Sequence, residues 1–208
     1  MKLFTYDPAP NPARLNMFLK YKGITLDTEQ IDMTTMGQHQ PEYLRVVPEG
    51  TIPALVLEDG TVLTEVIAIA HYLEAIYPEK PLLGTTEIER ATTLNWNHRI
   101  FNQVFMAVAE AFRNAHPAFK DRALPGTTPY AQIQELSERG KARLAASFEQ
   151  LDQLLAHRPF VAGNHFSFAD IDLIAAVDFS SWAAKIAPTE AQIHLAAWNQ
   201  RARDCLDN

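Results

Sequence analysis

The spacing of apolar residues changes character roughly 80 residues into the chain. Before that point strand and helix signals alternate. Lys2 to Tyr6 reads as a short strand that stops at Asp7-Pro8-Ala9-Pro10. A helix is predicted next, with Asn11 as its N-cap, Pro12 in its first position and Gly23 as its stop. Leu15, Phe18 and Leu19 form its apolar face. Thr25 to Ile31 reads as a second strand and Pro41 to Val46 as a short helix. The run Ala54-Leu55-Val56-Leu57 and the segment Thr61-Val62-Leu63 are strands joined by a tight Asp59-Gly60 turn. A helix from Thr64-Glu65 then carries Ile67, Ile69, Ala70, Leu73 and Ile76 until Pro78 ends it. The order β-α-β-α-β-β-α implies a small mixed sheet of four strands flanked by helices.

From Thr86 onward the pattern is helical. Glu87 to about Ala115 and Ala131 to Leu155 have helical spacing, separated by the loop Leu124-Pro125-Gly126-Thr127-Thr128-Pro129. Ser167 and Asp170 have the spacing of a capping box, with Phe166 and Ile171 where a hydrophobic staple would sit. The expected organisation is an α/β domain over residues 1–78, a linker over 79–85 and an all-helical domain over 86–208.

Composition narrows the function classes. A net charge of -7 works against binding nucleic acid or anionic membrane, and no apolar run approaches the ~20 residues that span a bilayer. The one cysteine, Cys205, allows no internal disulfide and fits a reducing, cytoplasmic compartment. The seven histidines lack metal-ligand spacing, so no metal site is expected; His71, inside an apolar helix, reads as a structural histidine. No G-x-G-x-x-G, P-loop or nucleophile-elbow motif is present.

Two segments carry chemistry: Gly50-Thr51-Ile52-Pro53-Ala54-Leu55, and Gly60-x-x-Leu63-Thr64-Glu65-Val66-x-Ala68-Ile69-x-x-Tyr72-Leu73. In this order they resemble the soluble glutathione transferases, whose N-terminal domain is thioredoxin-like, with a cis proline, a hairpin and then an E-S-x-A-I-x-x-Y-L helix. The Ser167-x-x-Asp170 box resembles that family's second-domain helix cap. The resemblance covers nearly the whole chain and implies glutathione as co-substrate, a small electrophilic, apolar second substrate and a homodimer. The physical logic supports it. A cis Ile52-Pro53 bond leaves the Ile52 N–H and C=O outside the sheet, where a bound peptide can pair as an added strand. The free N–H groups of the helix beginning near Glu65 and Val66 suit a carboxylate, and the Glu65 side chain suits an α-ammonium. A γ-glutamyl group presents both.

Departures from the family pattern shape the remaining expectations. Val66 replaces the usual serine and removes a hydrogen bond of ~1.5–3 kcal/mol, about tenfold or more in affinity, although its N–H can still donate. Val47 replaces the asparagine of the usual N-P-x-G. Gly37-Gln38-His39 resembles the G-E-H of bacterial members, which assigns Gln38 and His39 to the site and His39 to the glycyl carboxylate. Aligned on Pro12-x-Arg14, the usual catalytic serine falls on Pro10, which cannot donate; Asn11 follows and can. Ala9-Pro10-Asn11-Pro12-x-Arg14 resembles bacterial and fungal members akin to the second yeast-type transferase, and also the Nu-type proteins with disulfide-reductase activity. Asn11 is therefore the expected thiol donor, with Tyr6, His98 and Asn102 as alternatives. Phe105, Phe112, His116 and Phe119 are expected in the electrophile-site wall. Three outcomes stay open: conjugation, disulfide reduction, or binding without catalysis.

Overall fold

A four-stranded sheet in the order β2-β1-β3-β4 organises the N-terminal half of the computed structural model, which describes residues 1–207. The strands are β1 (Lys2–Thr5), β2 (Asp27–Gln30), β3 (Ala54–Val56) and β4 (Val62–Leu63). β1 runs parallel to β2 and antiparallel to β3, and β3 is antiparallel to β4. Along β1, Leu3 and Thr5 are buried on one face, and Phe4 on the other meets Tyr43 edge-on at 5.7 Å. β2 is shorter than the Thr25–Ile31 expectation because its partner ends: Lys2 opposes Asp27 and Thr5 opposes Gln30. All four β2 residues are exposed, and Asp27 and Glu29 suit an open sheet edge.

Helix α1 spans Pro10–Lys22 and is capped by Ala9, not Asn11. Proline has no N–H to satisfy and its φ is already helical, so Pro10 starts the helix earlier than Pro12 would. Gly23 ends it in a left-handed conformation, as expected. Two 3₁₀ turns, Met33–Thr35 and Gly37–His39, lead into the short α2 (Pro41–Leu44). Helix α3 spans Val66–Ile76 and buries Val66, Ile69, Ala70 and Leu73, spacing that repeats each turn. Ile76, expected on that stripe, is 43% exposed, and His71 lies on the exposed side rather than in the core.

The first unit contains Met1–Lys80 and also Leu124–Pro129; the second contains Pro81–Ala123 and the chain from Tyr130 onward. The Leu124–Pro129 loop falls in sequence within the 86–208 range yet groups with the sheet unit, where a side chain on Gly126 would approach the Glu49 carbonyl at 3.7 Å. Within the first unit Lys22 has a fully buried side chain whose Nζ donates to Glu74 Oε2 at 2.8 Å and to the carbonyls of Glu79 and Lys80 at 2.7 and 3.2 Å.

The second unit is helical: α4 (Glu87–Ile100), a π-helical segment Phe101–Phe105, α5 (Met106–Arg113), α6 (Gln134–Leu155), α7 (Phe168–Phe179), a second π segment Ser180–Ala184, and α8 (Ile193–Asp207). Gly140 lets α6 lie directly on α5, since a Cβ there would sit 2.5 Å from the Ala111 nitrogen. Every residue of α7 from Phe168 to Val177 is buried. At its start Asp170 accepts from the Ser167 N–H and hydroxyl, at 3.0 and 3.1 Å. Its other oxygen accepts from the Val161 N–H and the Trp198 indole, both at 2.8 Å. Burial nevertheless pushes the Asp170 carboxyl up to about 6. Among the described residues no helix is long and apolar enough to cross a membrane, and no His, Cys, Asp and Glu side chains group to hold a metal.

Candidate functional site

Sheet register alone gathers three of the chemistry-bearing segments. Phe4 opposes Ala54 and Leu55 opposes Leu63 across antiparallel pairs. The chain leaving β1 toward Tyr6 and Asn11, the chain entering β3 through Thr51-Ile52-Pro53, and the chain leaving β4 into Glu65-Val66 therefore emerge at one end of the sheet.

The Ile52-Pro53 peptide bond is cis. Ile52 is half-buried and lies before the ladder, which begins at Ala54; its N–H and C=O have no partner among the described residues. The preceding carbonyl, that of Thr51, accepts from the Tyr43 hydroxyl at 2.6 Å. Burial pushes the Tyr43 phenol well above its ordinary range, so it stays protonated and donates. Val47, standing where an asparagine was expected, is wholly buried with Ile31, Tyr43 and Ala54. The turn is closed by the Gly50 N–H to the Val47 carbonyl at 3.0 Å, and Tyr43 supplies the side-chain tie.

Glu65 caps α3 with an extended backbone, and its carboxylate is exposed with no hydrogen bond or ion pair among the described residues. The Val66 side chain is 3% exposed and packs inward. What Val66 offers a ligand is its N–H, which like those of Ile67 and Ala68 lacks an intrahelical acceptor.

Gln38 and His39 occupy a 3₁₀ turn resting on Gly50. A Cβ on Gly50 would come within 3.2 Å of the Gln38 carbonyl and 3.3 Å of the His39 ring, and its φ of +63° suits glycine. This packing joins the turn to the cis-proline loop. Gln38 is 6% exposed and its Oε1 has no hydrogen-bond partner. His39 is half-buried.

Asn11 is the second residue of α1. Its Oδ1 accepts from Arg14 Nη1 at 3.0 Å, while Nδ2 has no protein partner among the described residues. The expected N-cap bond is therefore absent, and the amide is oriented by Arg14 instead. Tyr6 is half-buried just beyond β1. In the second unit Asn102 Nδ2 lies 2.8 Å from His98 Nε2, so those two groups are engaged with each other.

Tyr43 and Arg14 were not singled out as site residues by the sequence. Arg14 was visible only as an alignment landmark, and Tyr43 only as one aromatic in a short helix.

The glutathione S-transferase N-terminal domain family matches residues 9–76 and the C-terminal domain family matches residues 134–201. Glutathione S-transferase 2 of Saccharomyces cerevisiae is 31% identical over 207 residues, covering 96% of this chain and 85% of that protein. Disulfide-bond oxidoreductase YfcG of Escherichia coli is 30% identical over 212 residues, covering 95% and 88%. The crystal structure of Gtt2 from Saccharomyces cerevisiae superposes with a TM-score of 0.87 at 28% identity, covering 99% of this chain and 100% of that one.

Proposed function

This chain belongs to the glutathione S-transferase family, and we propose that it binds glutathione at the sheet end built from Ile52-Pro53 and Glu65-Val66 and activates its thiol. The unpaired N–H and C=O of Ile52 carry the reading, because they match the two backbone groups that an extended cysteinyl residue offers. The Val66 N–H and the start of α3 take the γ-glutamyl carboxylate, and Glu65 takes the α-ammonium. Thr51 holds the loop in register, and Gln38 and His39 receive the glycyl end.

Thiolate formation is the chemical requirement. A free thiol titrates near 8.5, so lowering it by about two units asks for ~2.7 kcal/mol of preferential thiolate stabilisation. The Nδ2 of Asn11, left open by Arg14, and the N-terminal dipole of α1 supply it. The thiolate then attacks an electrophilic carbon, forming a C–S bond as the leaving group departs with its electron pair. The helical unit offers such an apolar substrate the rings of Phe112, His116 and Phe119, whereas Phe105, 4% exposed, is a core residue. The active species is a cytoplasmic homodimer.

A second reading, glutathione-dependent disulfide reduction at the same site, is favoured by the open amide of Asn11 and by the similarity to a disulfide-bond oxidoreductase.

Calorimetric titration with glutathione, followed by turnover with a haloaromatic electrophile and with a glutathione-linked disulfide, tests these readings. Saturable binding and conjugation are expected. No heat at millimolar glutathione would remove both catalytic readings, and turnover of the disulfide alone would select the second.

A further inference from the structure

The acidic residues of this chain are spread unevenly. None lies between Glu89 and Glu110, and none between Asp152 and Asp170. The first gap contains Trp96 and Arg99 of α4, and the second contains Arg158, just past the end of α6. Folding of the helical unit brings these three together. The Arg99 Cζ lies 4.1 Å from the centre of the Trp96 ring and the Arg158 Cζ lies 4.7 Å from it. The two guanidinium groups are therefore no further apart than the sum of those distances. A chain of net charge -7 has here placed two positive charges on one indole, where they repel.

Neither charge is neutralised. Among the described residues no carboxylate forms an ion pair with Arg99 or Arg158, and neither side chain makes a hydrogen bond. Arg99 has no acidic residue within a helical turn on either side. Asp170 is the carboxylate whose charge reaches Arg158, but it is committed elsewhere. Each of its oxygens already accepts two hydrogen bonds, which fills a carboxylate. Arg158 Nε and Nη2 are buried without an acceptor. Arg201 shows the ordinary case, its Nε and Nη2 donating to the Pro159 carbonyl at 3.0 and 2.8 Å. Burial and the charge of Arg99 hold Arg158 below the usual arginine value, the direction expected of a cation without its counter-ion.

Stacking on a ring fixes a guanidinium without using its donors, because all five N–H bonds lie in its own plane. Two such groups on one buried indole form a doubly positive surface with open donors. We propose that Arg99 and Arg158, held on Trp96, bind a phosphoryl dianion, either inorganic phosphate or the phosphate ester of a small molecule. Charge selects the occupant. A carboxylate would neutralise one arginine and leave the other, whereas a phosphoryl group carries about two negative charges and three strong acceptor oxygens. Arg99 is exposed and can close over the ligand from the solvent side. The site uses no residue assigned to glutathione and does not rest on that reading.

The sequence has three tryptophans, and Trp96→Phe identifies the Trp96 indole peak in a ¹⁵N–¹H spectrum. The full chain is titrated with sodium phosphate and then with glycerol phosphate, at about pH 8, where phosphate esters are dianions, and at ionic strength held constant with chloride. Saturable movement of the Trp96 peak with at least one probe is expected, and which probe acts tells the free anion from the ester. Arg99→Gln and Arg158→Gln should each weaken binding about tenfold or more, the loss of one charge-assisted hydrogen bond. Arg99→Lys should fall between, since the ammonium keeps the charge and loses the fork. Arg99 is exposed, so its variants keep the fold even where Arg158→Gln does not. A Trp96 peak that both probes leave in place, a shift that chloride alone reproduces, or unaltered affinity in Arg99→Gln would overturn the proposal. So would phosphate binding, seen by calorimetry, that leaves the Trp96 peak unmoved, because it would put the anion elsewhere.

Discussion

Arg14 Nη1 donates to Asn11 Oδ1 at 3.0 Å, and that one bond decides which end of the Asn11 amide faces outward. Arg14 is itself buried, so the amide is anchored from inside the fold. Asn11→Ala is expected to raise the thiol pKa of bound glutathione by about one unit, the effect of losing roughly 1.4 kcal/mol of thiolate stabilisation. Asn11→Asp should raise it further, since a carboxylate repels the thiolate. Thiolate absorbance followed against pH in the saturated complex measures both. An unchanged pKa in a folded Asn11→Ala variant removes Asn11 from the mechanism.

Val66→Ser asks whether the missing hydroxyl limits affinity. Glutathione should bind about tenfold more tightly, the value of one charge-assisted hydrogen bond. Because the Val66 side chain is packed inward, stability should fall by about 1–2 kcal/mol. Calorimetry and urea denaturation on the same variant read the two effects. Lower stability with unaltered affinity would show that the serine hydroxyl turns into the core.

Tyr43→Phe deletes the only side-chain tie to the Thr51 carbonyl among the described residues. A destabilisation of about 1–3 kcal/mol is expected from the stranded carbonyl. The affinity for glutathione should fall several-fold while the thiol pKa of the complex stays put. A shifted pKa would mean that Tyr43 reaches the sulfur.

Lys22 and Glu74 form an ion pair with the lysine side chain fully buried. Glu74→Gln should destabilise by about 3–5 kcal/mol, because it leaves an uncompensated buried charge. Lys22→Met, which removes that charge and keeps the stem, should be the milder change. Denaturant titrations of both variants test the order, and a more severe Lys22→Met would refute it.

Asp170 gives a pH signature. Its ordinary value is 3.8, while burial raises it to about 6 in the fold against the pull of its hydrogen bonds. The folded state therefore holds this proton more tightly, and the contribution is complete below about pH 3.8 and lost as the pH rises through about 6. Asp170→Asn should lack this component and be less stable by about 3–5 kcal/mol, since an amide cannot accept at both oxygen positions. Denaturation curves of the two proteins between pH 4 and 7 check it. A constant difference across that range would exclude Asp170 as the titrating group.

Much of this was legible in the sequence because it is local. Gly23 as a helix stop and the Ser167-Asp170 cap are readable from a few neighbouring residues, and the one-ended gathering of Ile52 and Glu65 follows from strand order. What escaped depends on partners distant in sequence or on competition between equivalent signals. Two prolines flank Asn11, and either suits a first helical turn; only the structure shows Pro10 taking that place and Arg14 taking the Asn11 oxygen. Asp170 as a cap was readable, but its bond to Trp198 spans 28 residues and has no local trace. His71 misled because an apolar helix still has an outward side.

The Leu124–Pro129 loop has a consequence for synthesis. The sheet unit includes this hexapeptide, which the ribosome makes only after α4 and α5 have been completed. The nascent N-terminal part can pair its strands early, but the surface around Glu49, just ahead of the cis-proline loop, stays unfinished until that late piece arrives. A fragment cut at Lys80 would lack it permanently. Completion of the surface around Glu49 is in this way timed to the emergence of the helical half.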